Sequence, residues 1–150
     1  MSKFDWSGAI ERVVLALWVG GMCGVGYVAV PSLFANLADR QLAGGLAAPM
    51  FKIIAMVGLV AVALLLVVRV LRGMAYNWRT IVLLVAGVGV AVGLFVLQPQ
   101  MAALKAQGLI AGSDEARQFG MLHGVSSALY MLTTVLGVVL LAAGSGPRRA

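Results

Sequence analysis

Residues 53–68 read IIAMVGLVAVALLLVV, an uninterrupted apolar run that lies between Lys52 and Arg69. A helix that crosses the hydrocarbon core of a bilayer needs about 20 mostly apolar residues. The two basic side chains can extend from the ends of the run toward the lipid headgroups, which lengthens the span by a few residues. The run therefore predicts a membrane-spanning helix over residues 53–71.

Three further apolar stretches have the same character. Together with the first run, they predict four spans, over residues 13–30, 53–71, 80–97 and 120–143. Hydrophobic residues make up 62% of the 150-residue chain and charged residues 11%, whereas about 25% of an ordinary soluble domain is charged. This composition excludes a soluble globular protein and a disordered one. We therefore expect an all-α integral membrane protein in which residues 1–150 form a single domain, a four-transmembrane-helix bundle.

Lysine and arginine are unevenly distributed over the two sides of the predicted membrane. The side with both termini and the loop after the second span carries seven of them, and the other side carries four. The seven are Lys3, Arg12, Arg69, Arg72, Arg79, Arg148 and Arg149. The positive-inside rule then places both termini in the cytoplasm. We expect the chain to lie in the inner membrane of a bacterium. The chain has a net charge of +6. We expect its basic residues to contact the lipid bilayer rather than nucleic acid.

The first outward loop is predicted to contain a short helix at the membrane interface. Ser32 could cap this helix, and Gly44–Gly45 would end it before Pro49 opens the second span. The same loop carries Asp39 and Arg40. These two charges either belong to a surface connector or line the mouth of a site, and both interpretations stay open.

The second outward loop has a similar pattern. The segment after Gln98 carries Met101, Leu104 and Lys105 at helical spacing, which suggests another short interfacial helix. Further on, Ser113 precedes two acidic residues. Because serine is a favoured N-cap and acids favour the first turn of a helix, we expect the fourth helix to begin near Asp114.

Glycines four residues apart recur in three spans. Small residues let membrane helices approach closely, which favours their association. The pattern predicts packing inside one four-helix bundle, with the seam of a homo-oligomer as the alternative. The glycines are Gly20, Gly24, Gly89, Gly93, Gly120 and Gly124.

One face of the fourth span carries most of its polar groups. Steps of 3 and 4 residues place the members on a common face, which should point into the bundle because polar groups are costly in hydrocarbon. They are Phe119, His123, Ser126, Tyr130, Thr133 and Gly137. The face is either a hydrogen-bonded packing surface, an oligomer interface, or a ligand or proton site. In the last case His123, Ser126 and Tyr130 are the candidates, with Asp39 and Arg40 folding over them.

The chain has a single cysteine, Cys23, and a single histidine, His123. An intrachain disulfide and a Cys/His zinc site are therefore excluded, and we predict no cofactor. The alternative is a redox protein that binds haem or copper at His123, with Cys23 and Met22 as weaker candidate ligands. Without a nucleophile–base pair, a carboxylate pair or a phosphate loop, the main hypothesis is a non-enzymatic membrane protein that binds or moves a small ligand or supports a partner.

Two stretches carry a resemblance to a known family. One is GYVAVPSLF over residues 26–34, followed by LADRQLAG over residues 37–44 and then Phe51, and the other is FGMLHGVS over residues 119–126. They resemble the bacterial membrane domain-of-unknown-function family 4149, which is similar to eukaryotic transmembrane protein 205. The resemblance implies four spans over about residues 10–143 and no established activity.

A more distant resemblance is to the copper-resistance D and haem-linked protoporphyrinogen oxidase membrane families. Those families rely on histidines within their spans. This chain has only His123, so one monomer cannot supply two histidines to a haem.

Overall fold

In the computed structural model, residues 6–144 are described, and every regular element among them is a helix. In order, the elements are α1 (Trp6–Cys23), a π-helical turn (Gly24–Ala29), α2 (Val30–Asn36), α3 (Arg40–Leu71), α4 (Trp78–Val92), a second π-helical turn (Gly93–Leu97), α5 (Gln98–Gln107) and α6 (Asp114–Ala142). Lys3, Arg148 and Arg149, on which the expected orientation partly depends, lie outside the described residues.

These elements make four long helices, because each π-helical turn joins its neighbours without a break. All four are long and apolar enough to cross a membrane, and we call them the first to fourth spans: Gly8–Asn36, Arg40–Leu71, Trp78–Gln107 and Asp114–Ala142. The predicted all-α bundle of four membrane-spanning helices is confirmed. A helix of about 30 residues is roughly 45 Å long, so each span is longer than the roughly 30 Å hydrocarbon core that it crosses.

The four spans pack in a ring. Both α1 and α4 pack against α3 and α6, whereas no Cα atoms of α1 and α4, or of α3 and α6, approach within 8 Å among the described residues. The centre of the bundle is apolar, and each span contributes a large side chain that is only 1% exposed: Trp18, Leu65, Leu83 and Leu140. This alternating up-and-down order places Trp6 and Ala142 at one end, the terminal end. The links at residues 37–39 and 108–113 lie at the other, the loop end.

The first outward loop differs from the prediction. Val30–Asn36 is helical but continues the first span, and the Ser32 hydroxyl donates to the Val28 carbonyl (2.7 Å) instead of capping a helix. The chain turns at residues 37–39, and the Asp39 carboxylate caps α3 by accepting from the backbone N–H groups of the second and third residues of the helix. The predicted stop at Gly44–Gly45 is wrong. A glycine costs a helix only about 1 kcal/mol, and the Asp39 cap offsets part of this.

The helix predicted in the second outward loop is also the continuation of a span. Gln98–Gln107 is helical, as expected, but it continues the third span through the second π-helical turn. Gly108, with a φ of 88°, ends it. The predicted start of the fourth helix is confirmed: the Ser113 hydroxyl accepts from the Ala116 N–H group (3.1 Å), and α6 begins at Asp114.

Close approach between spans depends on a different set of glycines from the expected one. At six positions an added Cβ would lie within 3 Å of a side chain on another span: Gly21, Gly26, Gly58, Gly87, Gly89 and Gly137. Only Gly89 belongs to the predicted set. At the other five predicted positions, an added Cβ would meet nothing within 4 Å in the described part of the chain: Gly20, Gly24, Gly93, Gly120 and Gly124. These five make no close contact inside the bundle, and their place in an oligomer seam stays a prediction.

The polar face of α6 points into the bundle only over part of its length. Thr133 and Gly137 are buried and Tyr130 is half-buried, whereas His123 is exposed. The expected inward orientation is therefore wrong for His123. The Thr133 hydroxyl donates to the Leu129 carbonyl of its own helix, and Ser127 and Thr134 bond their own helix in the same way. Such bonds satisfy hydroxyl groups without joining helices.

Candidate functional site

Tyr130 of the polar face forms a hydrogen bond to another span. Its hydroxyl donates to the Met22 carbonyl of the first span (2.7 Å), just before the π-helical turn. Its ring lies against Gly26, where no larger residue would fit, and packs edge-on against Phe51 of α3 with centroids 5.2 Å apart. Tyr130 therefore ties the fourth span to the first and second.

Beyond Tyr130, toward the loop end, the bundle separates into two helix pairs. α2 packs against α3, and α5 packs against α6. Among the described residues, no Cα atoms within 8 Å join α2 to α6 or α3 to α5. The Lys105 side chain of α5 reaches across the gap: its ammonium lies 3.7 Å from the position that a Cβ on Gly44 of α3 would occupy. The loop end is thus held across this gap by side chains rather than by backbone packing.

Lys105, Phe119 and His123 form a row that we call the loop-end stack. The Lys105 ammonium lies 5.3 Å from the Phe119 ring centroid. The His123 imidazole stacks on the same ring with centroids 6.0 Å apart and planes 9° apart. Both Lys105 and His123 are exposed, and within residues 6–144 neither side chain forms a hydrogen bond or an ion pair. The stack therefore presents two polar groups that can bind a ligand beside an aromatic face.

The other predicted site residues lie near this region but contribute less to it. Ser126 is half-buried, three residues after His123 on α6. The Asp39 carboxylate is occupied by capping α3, and Arg40 is exposed at the first residue of that helix. In the described part of the chain, no hydrogen bond or ion pair joins Asp39 or Arg40 to His123. The structure does not bring all five candidates together.

The sequence patterns did not predict a largely buried group of charges at the terminal end. We call it the terminal-end cluster, and it consists of Glu11, Arg69, Arg72 and Arg79. Glu11 is 1% exposed, and its carboxylate pairs with Arg69, which is 2% exposed. A guanidinium nitrogen of Arg79 lies 3.4 Å from the same carboxylate oxygen, and one of Arg72 lies 3.6 Å from the other oxygen. Arg69 therefore does not extend to the headgroups as expected, because its charge is neutralised inside the bundle.

The terminal-end cluster joins all four spans. Glu11 belongs to the first span, Arg69 to the second and Arg79 to the third. Arg79 also donates to the Leu140 carbonyl of the fourth span (2.8 Å), and Arg69 donates to the Thr80 hydroxyl (3.4 Å). Removing one partner of such a buried pair leaves an uncompensated charge, which is strongly destabilising. The cluster therefore closes the terminal end of the bundle.

The electrostatics of this cluster are unbalanced. Three guanidinium groups surround one carboxylate, and Arg79 Nε and Glu11 Oε2 are buried without hydrogen-bond partners. A usable signal was present in the sequence, since the chain has only five acidic residues and Glu11 lies just before an apolar run. Its pairing with Arg69, 58 residues away, follows only from the three-dimensional arrangement.

The candidate metal ligands are distributed over different parts of the bundle. Met22 is 3% exposed in the core, Cys23 follows it in the first span, and His123 is on the exposed surface of α6. Among residues 6–144, no group of three or more His, Cys, Asp or Glu side chains is arranged to hold a metal ion. Haem or copper binding at His123 stays a prediction.

A family model described as Domain of unknown function (DUF4149) matches residues 13–109. The match includes Arg69, Arg79 and Lys105 and ends before α6. No curated protein and no solved structure matches, so the resemblance to transmembrane protein 205 and to the copper-resistance D family rests on the sequence alone. Because the matched residues are more than half of the 150, the chain belongs to the DUF4149 family.

Proposed function

We propose that this integral membrane protein is not an enzyme and that it binds a small anionic ligand at the loop-end stack. One observation carries the proposal: Lys105 and His123 contact the same ring, are exposed, and leave their polar atoms without protein partners in the described part of the chain. An ammonium and an imidazole suit a carboxylate or a phosphate. The Phe119 ring supplies an apolar surface for the organic part of the ligand.

The difference between the two ends supports binding over passage through an open pore. The terminal-end cluster fills its end of the bundle with paired charges from Glu11, Arg69 and Arg79. At the loop end, side chains such as Lys105 and Tyr130 reach across the gap between the two helix pairs. A ligand would therefore reach the stack from the loop end.

The orientation and location are part of the same proposal. We place the protein in a bacterial inner membrane with both termini in the cytoplasm, which puts the loop-end stack on the outer side. The test uses single cysteines at Asp39 and Gly73 in a Cys23→Ser background. An impermeant thiol reagent should label position 39 in intact spheroplasts and position 73 only after lysis. Labelling of position 73 alone in intact spheroplasts would reverse the orientation.

Ligand binding can be followed at His123 because the chain has one histidine. Protein labelled with ¹⁵N-histidine and carrying no histidine tag should give one set of imidazole resonances. With inorganic phosphate as the probe, these should shift along a saturating curve, and Lys105→Gln should abolish the saturation. Arg117→Gln is the matched control, since it removes one positive charge from the same end. Equal responses from both variants, or a linear response in the unaltered protein, would refute the proposal.

The redox alternative predicts a different result. It requires a Soret band or stoichiometric copper in the protein purified in detergent, and the loss of either in His123→Gln. That outcome would replace anion binding by cofactor binding at the same residue.

A further inference from the structure

A groove lies on the outer surface between the second and third spans. Its volume is about 570 Å³, within the range of about 300–1,000 Å³ typical of small-ligand pockets. Lys52 lies among its lining residues, and all the others are apolar. These are Met56, Leu59 and Val60 of α3 and Leu94, Phe95 and Pro99 of the third span. The groove therefore combines a long apolar surface with one positive charge.

The depth of the groove in the membrane follows from α3. Lys52 and Arg69 are 17 residues apart on this helix, which corresponds to roughly 26 Å. The hydrocarbon core is roughly 30 Å thick, and Arg69 belongs to the terminal-end cluster. Lys52 therefore lies near the boundary of the hydrocarbon at the loop end. Met56 and Val60 follow one and two helical turns deeper, so the apolar part of the groove extends from that boundary toward the middle of the membrane.

The outer wall of the groove faces the lipid. Val60 is 69% exposed and Phe95 is 67% exposed, whereas Leu94 beside Phe95 is only 7% exposed. The second π-helical turn thus places Leu94 against the bundle and Phe95 at the outer wall of the groove. Val60 and Phe95 both line the open space of the groove.

We propose that this groove binds an anionic phospholipid, with one acyl chain in the groove and the lipid phosphate at Lys52. Charge complementarity identifies the occupant. In the described part of the chain, the Lys52 ammonium is exposed and forms no ion pair or hydrogen bond, whereas Arg117 at the same end pairs with Asp114. An ammonium at the hydrocarbon boundary lies at the depth of the lipid phosphate. A zwitterionic lipid would complement the apolar surface equally well, so Lys52 is the source of selectivity.

The experiment uses native mass spectrometry of the full chain in detergent, with phosphatidylglycerol and phosphatidylcholine of identical acyl chains as competing probes. We expect one phosphatidylglycerol to be retained in preference to phosphatidylcholine. Lys52→Gln should reduce this preference about fivefold, the effect of one lysine near an anionic lipid surface. Lys52→Arg should keep it. Arg117→Gln, which removes the same charge at the same end, should leave it unchanged.

A second variant tests the groove itself. Val60→Trp places a large side chain where the acyl chain would lie, and because Val60 faces the lipid, the bundle should fold normally by circular dichroism. We expect it to reduce retention of both lipids.

Equal retention of the two lipids by the unaltered protein, or an unchanged preference in Lys52→Gln, would overturn the proposal. A dimer that Val60→Trp abolishes would assign the groove to a second copy of the chain. Lys105→Gln should not alter lipid retention, so this site and the loop-end stack are tested separately.

Discussion

Glu11→Gln removes the carboxylate of the terminal-end cluster while keeping the size of the side chain. The nearest Arg79 nitrogen is 3.4 Å from the carboxylate, and at an effective dielectric constant of about 20 a unit charge pair at this distance interacts by about 5 kcal/mol. The amide oxygen of glutamine can still accept a hydrogen bond from Arg69, which recovers part of this. Breaking a buried ion pair costs about 3–5 kcal/mol, so we expect the free energy of unfolding to fall by that amount.

The assay is equilibrium unfolding in detergent micelles by added sodium dodecyl sulfate, followed by tryptophan fluorescence. Trp18 is 1% exposed in the core and reports on packing of the first span. Glu115→Gln is the control, because it makes the same chemical change in the first turn of α6, at the opposite end. We expect the control to unfold like the unaltered protein. A Glu11→Gln variant as stable as the unaltered protein, or a control equally destabilised, would refute the assignment of Glu11 as the charge that closes the bundle.

Two further predictions concern contacts between spans. Gly58→Leu should lower the free energy of unfolding by about 1–3 kcal/mol. A Cβ at this position would lie 2.5 Å from Trp18 Nε1, so the larger side chain would force the two spans apart. Gly24→Leu should have almost no effect, and equal losses in the two variants would contradict the packing. Tyr130→Phe leaves the Met22 carbonyl without its partner and should cost about 0.6–1.7 kcal/mol. An unchanged unfolding midpoint in Tyr130→Phe would show that this bond contributes nothing.

The number of spans could be predicted from the sequence because the apolar runs are long and contain no charged residue. The start of α6 could also be predicted, because Ser113 and the acids after it form a local signal. The start of α3 could not. Gly44, Gly45 and Pro49 indicate a break, and the stronger local signal, a capping Asp39, comes only a few residues earlier. A helix held by its neighbours tolerates residues that would end an isolated one.

The contact faces could not be predicted, for a geometric reason. A spacing of four residues shows which residues share a face, but not toward which neighbour that face is turned. One residue corresponds to a rotation of about 100° around a helix. An added Cβ at Gly20 would therefore meet nothing within 4 Å, whereas one at the next residue, Gly21, would contact Ile54. The pairing of Glu11 with Arg69 could not be predicted for the same reason, since it depends on how two spans are aligned after folding.

The two ends of the bundle are stabilised in different ways, and this bears on where a ligand can bind. At the terminal end, one buried carboxylate holds guanidinium groups from two other spans, so the spans cannot separate there without exposing charge to lipid. At the loop end, the contacts that cross between the helix pairs include the Tyr130 hydrogen bond and the reach of Lys105 toward Gly44. Each of these contacts is weak compared with a buried ion pair. Local opening should therefore begin at the loop end, where Lys105 and His123 already lie on the surface.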